Sequence, residues 1–333
     1  MTSNRRDRAA CLHRGRRKVV AALAAAVTSV ALIAARPEPP ASPPPIVVPL
    51  HVGHTSSGSL RLGIDVTIGG RTSRVLLDSG SSGLRILAAA VPDGAARRTG
   101  RPARATYVNG LVAEGEEALA QVSIGTAPPS EIAFEIVDQT HCVPGAPSCA
   151  SFATINQVFT MYAGVLGIAS ISRTDRCCAN PLLALSDGIG RRFIVHSDIA
   201  GPTLTLNPDA AALRGFTMVD VPLGTRPTAC IHVSGSVPKH TCGPLAFDTG
   251  STMTLILGSD VADGSVEGGT ATLSIGEWSH VLQAAPRSPA AMLGHTAANF
   301  ILVGLPSMQT FDVYFDLEHG RMGMSSAPPV PSS

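Results

Sequence analysis

Apolar residues along this chain fall in short runs, many alternating with polar neighbours at a period of two, with turn residues between them. Leu60–Ile68 alternates and ends at Gly69-Gly70, which predicts a hairpin into Arg74–Leu77, and Leu84–Leu87 leads away again. Asn109-Gly110 sits between two β-type runs and predicts a type I′ hairpin, because that turn needs positive φ at both central residues. Further strands are predicted at 118–124, 132–137, 164–168, 193–196, 203–206, 217–222, 270–275, 278–282, 300–304 and within 311–324. Gly164 and Gly167 flank Val165-Leu166, where a backbone must approach closely. The best helix signal is Asn180–Leu185, with Asn as N-cap and Pro181 at the first helical position. The pattern is all-β, with few short helices.

One feature occurs twice in this pattern. Val75-Leu76-Leu77-Asp78-Ser79-Gly80-Ser81 is echoed by Leu245-Ala246-Phe247-Asp248-Thr249-Gly250-Ser251, and the acids lie 248 − 78 = 170 residues apart. Domain-sized spacing of a repeated carboxylate predicts two lobes, at 50–205 and 206–327, that bring their acids face to face, followed by a tail at 328–333. Two carboxylates in contact share a proton. The ionised one can take a proton from water while the protonated one donates to a carbonyl oxygen, which is general acid–base hydrolysis of an amide. The hydroxyls of Ser79, Ser81, Thr249 and Ser251 are expected to hold the carboxylates. Gly80 and Gly250 let the chain turn so that N–H groups point at the acids.

Composition narrows the setting. Of 333 residues, 44% are apolar and 15% charged, and 33 Gly and 26 Pro suit a turn-rich β protein. Residues 1–35 hold seven basic groups and one acid, a net +6, so the overall +1 leaves 1 − 6 = −5 for the rest. That mildly acidic body, without a basic cluster, excludes nucleic acid as a partner. The basic start runs into Val19–Ala35, an Ala-rich apolar stretch of 17 residues. It predicts an export signal, cleaved after Ile33-Ala34-Ala35, or a retained membrane tether. The body is then periplasmic or extracellular, behind a Pro-rich spacer at 36–49.

Six cysteines lie beyond the targeting segment. Cys142 with Cys149 and Cys230 with Cys242 would close short loops, while Cys177 and Cys178 would pair with each other or with distant partners; all 15 connectivities stay open. No metal or cofactor is predicted, since neither C-x-x-C nor H-E-x-x-H occurs, and the ten histidines form no ligand spacing. No G-x-S-x-G occurs either, which removes a serine hydrolase of that type. Glu114, Glu116 and Glu117 read as a solvated acidic face, and Trp278 as core.

The paired Asp-Ser/Thr-Gly-Ser motifs resemble those of the pepsin-like aspartic peptidases, and the likeness extends over most of 58–327. Val165-Leu166-Gly167 and Leu302-Val303-Gly304 are similar to the family's two apolar-apolar-Gly segments behind the active-site loops. Asn180–Ile194, the closing pattern from Gly304 to Met322-Gly323 and Cys242 before Asp248 also fit. The resemblance implies a bilobal double β-barrel in a monomer, with Asp78 and Asp248 activating water. Extended polypeptide would lie under a flap formed by Tyr107, Asn109 and Gly110. Ser79 stands where Thr is usual, and Arg85 where many relatives carry the aromatic that hydrogen-bonds the flap tyrosine; this variant resembles a bacterial branch. The loops after both acids are short. Two functions follow as alternatives: an exported aspartic endopeptidase, or a peptidase-like binding module of the cell envelope with weak or no catalysis.

Overall fold

A computed structural model describes residues 43–55, 58–145, 149, 159, 161–169, 177–234, 239–261, 263–266, 270–282 and 291–325. The predicted export segment, the spacer through Ser42 and the tail lie outside these residues. All described residues belong to one unit, 42–333.

Alternating burial folds the strands into three sheets among the described residues. The first has eight strands, in the order His51–His54, Leu60–Ile68, Arg71–Asp78, Gly164–Ile168, Ser82–Leu87, Ser130–Cys142, Leu111–Ile124 and Arg97–Thr106. The second also has eight, in the order Gly264–Ser265, Met292–His295, Leu255–Gly258, Phe300–Gly304, Lys239–Asp248, Thr228–Val233, Ala271–Ile275 and Trp278–Leu282. A six-stranded sheet mixes both halves: Ile46–Pro49, Thr203–Leu206, Arg192–His196, Val313–Asp316, Arg321–Ser325 and Phe216–Asp220.

The core follows the sequence pattern. Phe134, Phe193, Leu62, Ile64, Leu77, Leu84 and Leu166 are fully buried, and such a side chain contributes about 1.5–3 kcal/mol on leaving water. Trp278 is buried as expected, and its indole N–H donates to the Ser325 carbonyl at 3.2 Å.

Three local expectations change. Ile46–Pro49, read as the end of the spacer, is a strand paired antiparallel with Thr203–Leu206, because Val48 buries its side chain in the core. Asn180–Leu185 makes a 3₁₀ turn over Pro181–Ala184 instead of an α-helix; Asn180 does cap it, accepting the Leu182 N–H at 2.9 Å. The Asn109-Gly110 turn is not type I′. Gly110 has φ +86° but Asn109 does not have positive φ, and the loop closes through Gly110 N–H to the Tyr107 carbonyl at 2.9 Å. This is a type I turn followed by a left-handed Gly. The Asn109 side chain supports it by accepting the Leu111 N–H at 3.0 Å.

Candidate active site

Each predicted acid ends a strand that lies parallel to an apolar-apolar-Gly strand. Asp78 stands opposite Gly167, and Asp248 opposite Gly304. In each case a third strand returns antiparallel along the glycine strand, Ser82–Leu87 in one lobe and Leu255–Gly258 in the other. The close approach predicted at these glycines is real: a Cβ on Gly167 would lie 2.8 Å from the Ser81 carbonyl oxygen, and one on Gly304 would collide with Met253 backbone. The same fold of chain therefore occurs twice, and it presents an acid at the same point each time.

The acids meet through a reciprocal exchange of hydroxyls across the lobes. The Ser79 hydroxyl donates to the Phe247 carbonyl at 2.8 Å and accepts the Thr249 N–H at 3.0 Å. The Thr249 hydroxyl donates to the Leu77 carbonyl at 2.8 Å and accepts the Ser79 N–H at 3.1 Å. These two hydroxyls were expected to hold the carboxylates; instead they clamp the two loops to one another. Serine in place of threonine keeps every one of these bonds. Thr249→Val would leave the buried Ser79 N–H without its acceptor, a loss of about 1–3 kcal/mol. We expect a fall of several degrees in the melting temperature, and a less than additive loss in combination with Ser79→Ala, since both hydroxyls serve one joint. Thermal scans of the two single variants and the double variant check this.

Gly80 and Gly250 each donate an N–H to the acid two residues earlier, both at 2.8 Å. They also face the opposite acid. A Cβ on Gly80 would overlap the Asp248 carboxyl, and one on Gly250 would lie 2.8 Å from the Asp78 carboxyl carbon. Glycine is required here by the approach of the other lobe's carboxylate, a reason beyond the turn expected from the sequence.

The two acids are not equivalent. Asp78 accepts from the Gly80 N–H, the Ser81 N–H at 3.1 Å and the Ser81 hydroxyl at 2.5 Å. The corresponding Ser251 hydroxyl, expected to support Asp248, donates instead to the Met253 carbonyl at 2.8 Å. Burial, and then the charge and hydrogen bond of Asp78, raise the Asp248 pKa well above the ordinary carboxylate value, against the pull of the Gly250 and Ser251 backbone donors.

Two charged residues near the dyad carry no motif. The half-buried Arg61 reaches across the lobes and donates to the Gly250 carbonyl at 3.1 Å. Burial lowers its pKa from the guanidinium's ordinary value, while Tyr162, Asp248 and Asp78 pull the other way. It stays cationic, so a positive charge sits in the field of both acids. Glu135, fully buried, stands beside Arg85 in the parallel register of their strands, with Arg85 Nε 3.1 Å from its carboxylate. Desolvation raises its pKa to about 7, outweighing the opposing effect of Arg85. A lone charge inside each apolar run, Arg85 among Leu84–Leu87 and Glu135 among Ile132–Val137, was the signal available in the sequence.

The remaining predicted residues are placed as follows. Tyr107, Asn109 and Gly110 form the tip of the long hairpin Arg97–Thr106 and Leu111–Ile124, and Tyr107 packs against Leu76, Tyr162 and Val165. Glu114, Glu116 and Glu117 are not a bare acidic face, because Arg104, Arg98 and Arg101 of the neighbouring strand pair with them in turn. The cysteines pair as Cys142–Cys149, Cys177–Cys178 and Cys230–Cys242, which closes the alternative of distant partners for Cys177 and Cys178. Two groups of potential metal ligands occur among the described residues, Cys230–His240–Cys242 and Glu117–Cys177–Cys178, and both rely on sulfurs already committed to disulfides. Among the described residues no helix is long and apolar enough to cross a membrane.

No family model and no curated protein matches this sequence. Among solved structures, an aspartic proteinase from Irpex lacteus is similar to it, with a TM-score of 0.57 at 16% identity over 85% of this chain and 98% of that one. With its duplicated acid-bearing loops, this chain has the bilobal, all-β fold of the pepsin-like aspartic proteinases.

Proposed function

We propose that this protein is an exported aspartic endopeptidase that hydrolyses peptide bonds in extended polypeptide. The observation that carries the reading is the Asp78–Asp248 pair itself. Two carboxyls from separate lobes are clamped into contact by the Ser79–Thr249 exchange, one rich in donors and the other with a raised pKa. Such a pair has an acid and a base ready at once. Ionised Asp78 takes a proton from a water held between the carboxyls, and the resulting hydroxide attacks the scissile carbonyl carbon. Asp248 gives its proton to the carbonyl oxygen, forming a tetrahedral diol. Collapse of the diol, with a proton passed to the amine, releases two peptides and restores the starting proton on the pair. The hairpin tip at Tyr107–Gly110 would cover the substrate backbone.

The three disulfides support a location in an oxidising compartment. The export signal or tether at 1–35 belongs to the same proposal, as does action as a monomer, since one chain supplies both acids.

The test uses an unfolded protein substrate and a broad peptide library across pH 3–8. Cleavage should be strongest at acid pH, fall as Asp248 loses its proton, and be blocked by a statine-containing inhibitor, which mimics the tetrahedral diol. Absence of cleavage across the library, with no binding of that inhibitor, would leave the binding-module reading in its place.

A further inference from the structure

Four buried side-chain polar atoms among the described residues have no hydrogen-bond partner, and all four lie in one group: Arg85 Nε, the Tyr107 hydroxyl and both carboxylate oxygens of Glu135. They come from three elements. Arg85 lies on the strand that leaves the Asp78 loop, Glu135 on the parallel strand beside it, and Tyr107 at the hairpin tip. Arg85 is fixed from behind. Its guanidinium donates to the carbonyls of Ser82 at 2.7 Å, Gly83 at 3.2 Å and Cys177 at 3.3 Å, while Nε stays 3.1 Å from the Glu135 carboxylate.

Burying an ion pair is expensive, and apolar side chains of the same volume would pack this space at less cost. The charges must therefore be accounted for by what they meet. What they meet is the Tyr107 phenol, whose pKa burial raises; of the charged groups acting on it, Arg85 has the largest effect, followed by Asp78 and Glu135. The buried hydroxyl thus lies in the field of a guanidinium that is already anchored to the Asp78 loop and is able to donate to it.

We propose that the Arg85–Glu135 pair is a positioning device: it holds the Tyr107 hydroxyl and so registers the hairpin tip against Asp78. Glu135 holds the guanidinium, the guanidinium donates to the phenol oxygen, and the tip closes to full hydrogen-bond distance when a substrate backbone lies beneath it. In this role Arg85 and Glu135 touch neither substrate nor water. The catalytic consequence rests on the peptidase reading above; the contact itself does not.

The experiment compares wild type with Tyr107→Phe, the paired replacement Arg85→Met with Glu135→Leu, and the triple variant. The paired replacement removes the charges without stranding one, and Tyr107→Phe removes a single oxygen from the other side should the paired variant fail to fold. We expect the paired replacement to keep a wild-type melting temperature within a few degrees yet lose about 10–100-fold in kcat/KM, mostly in kcat, matching Tyr107→Phe. The triple variant should lose no more than either, because both changes break one contact. Hydrogen exchange of amides 108–111 should accelerate in all three variants, a readout that needs no catalysis. Wild-type exchange and wild-type kcat/KM in the paired replacement would overturn the proposal, as would a triple variant that lost the product of the two effects. If no form cleaves peptide, faster exchange in the variants still supports the contact while the peptidase reading fails, and unchanged exchange overturns the contact.

Discussion

Asp78→Asn is expected to lower kcat/KM on an unfolded polypeptide by about a thousandfold or more, and Asp248→Asn to do the same for the opposite reason. General acid–base steps each contribute about 10²–10⁴-fold. Asn at position 78 keeps the donors that converge there but cannot take a proton from water, and Asn at 248 can donate a hydrogen bond but cannot release a proton. Stability should separate them from ordinary damage. Asp248 has its pKa raised in the folded protein, so the stability that its protonated form contributes is fully present below the ordinary carboxylate pKa and is lost as pH rises through the raised value. Asp248→Asn, permanently neutral, should thus match wild type in melting temperature at pH 3 and exceed it at neutral pH. Paired assays of cleavage and thermal unfolding at both pH values check the claim. Full activity in either variant would remove the dyad from the mechanism.

The second large effect concerns Arg85. Replacing it alone by Met leaves Glu135 buried without a counter-ion, and breaking such a pair costs about 3–5 kcal/mol. In a chain of this size each kcal/mol corresponds to about 2–4 °C in melting temperature, so a fall of about 10 °C is expected. The loss should depend on pH. Glu135 titrates at about 7, above an ordinary carboxylate, so its favourable protonated state is fully populated below the ordinary pKa and is lost as pH rises through 7. Losing Arg85, which pulls that value down, raises it further, so at pH 5 the stranded carboxyl takes a proton at little cost and Arg85→Met should be mild. At pH 8 it must either take a proton far above its unfolded pKa or stay charged in the core, and the loss should be near its maximum. Adding Glu135→Leu should restore stability at pH 8. Thermal scans of both variants at the two pH values decide this, and a pH-independent loss would mean that Arg85 stabilises through its contacts to the Ser82, Gly83 and Cys177 carbonyls instead of through the ion pair.

The sequence made most of the architecture legible because strands and turns are local signals. Gly164–Ile168, Thr203–Leu206, Trp278–Leu282 and Phe300–Gly304 form strands within the expected bounds, since period-two burial and flanking turn residues specify them directly. The Asn109-Gly110 turn kept its place but changed its type, because Tyr107 at its start is held by tertiary packing on Leu76, Tyr162 and Val165. Ile46–Pro49 was lost in a proline-rich stretch, because a strand that contributes one buried residue leaves little pattern to read.

The site divides along the same line. The repeat of Asp78-Ser-Gly-Ser and Asp248-Thr-Gly-Ser by itself determined that there are two acids, on two similar lobes, in frames where backbone N–H groups serve them. Which groups serve which acid was decided in the folded structure. Ser79 and Thr249 clamp the lobes, Ser81 alone supplies a hydroxyl to its acid, and burial beside Asp78 raises the Asp248 pKa. Arg61 and Glu135 joined the neighbourhood only there, and Arg85, which the resemblance had set beside the flap tyrosine, gained its buried partner there. The physical reason is range: strand periodicity and turn chemistry act over a few residues. Desolvation, charge pairing and the approach of one lobe to another act between residues that are distant in sequence and meet only when the sheets pack.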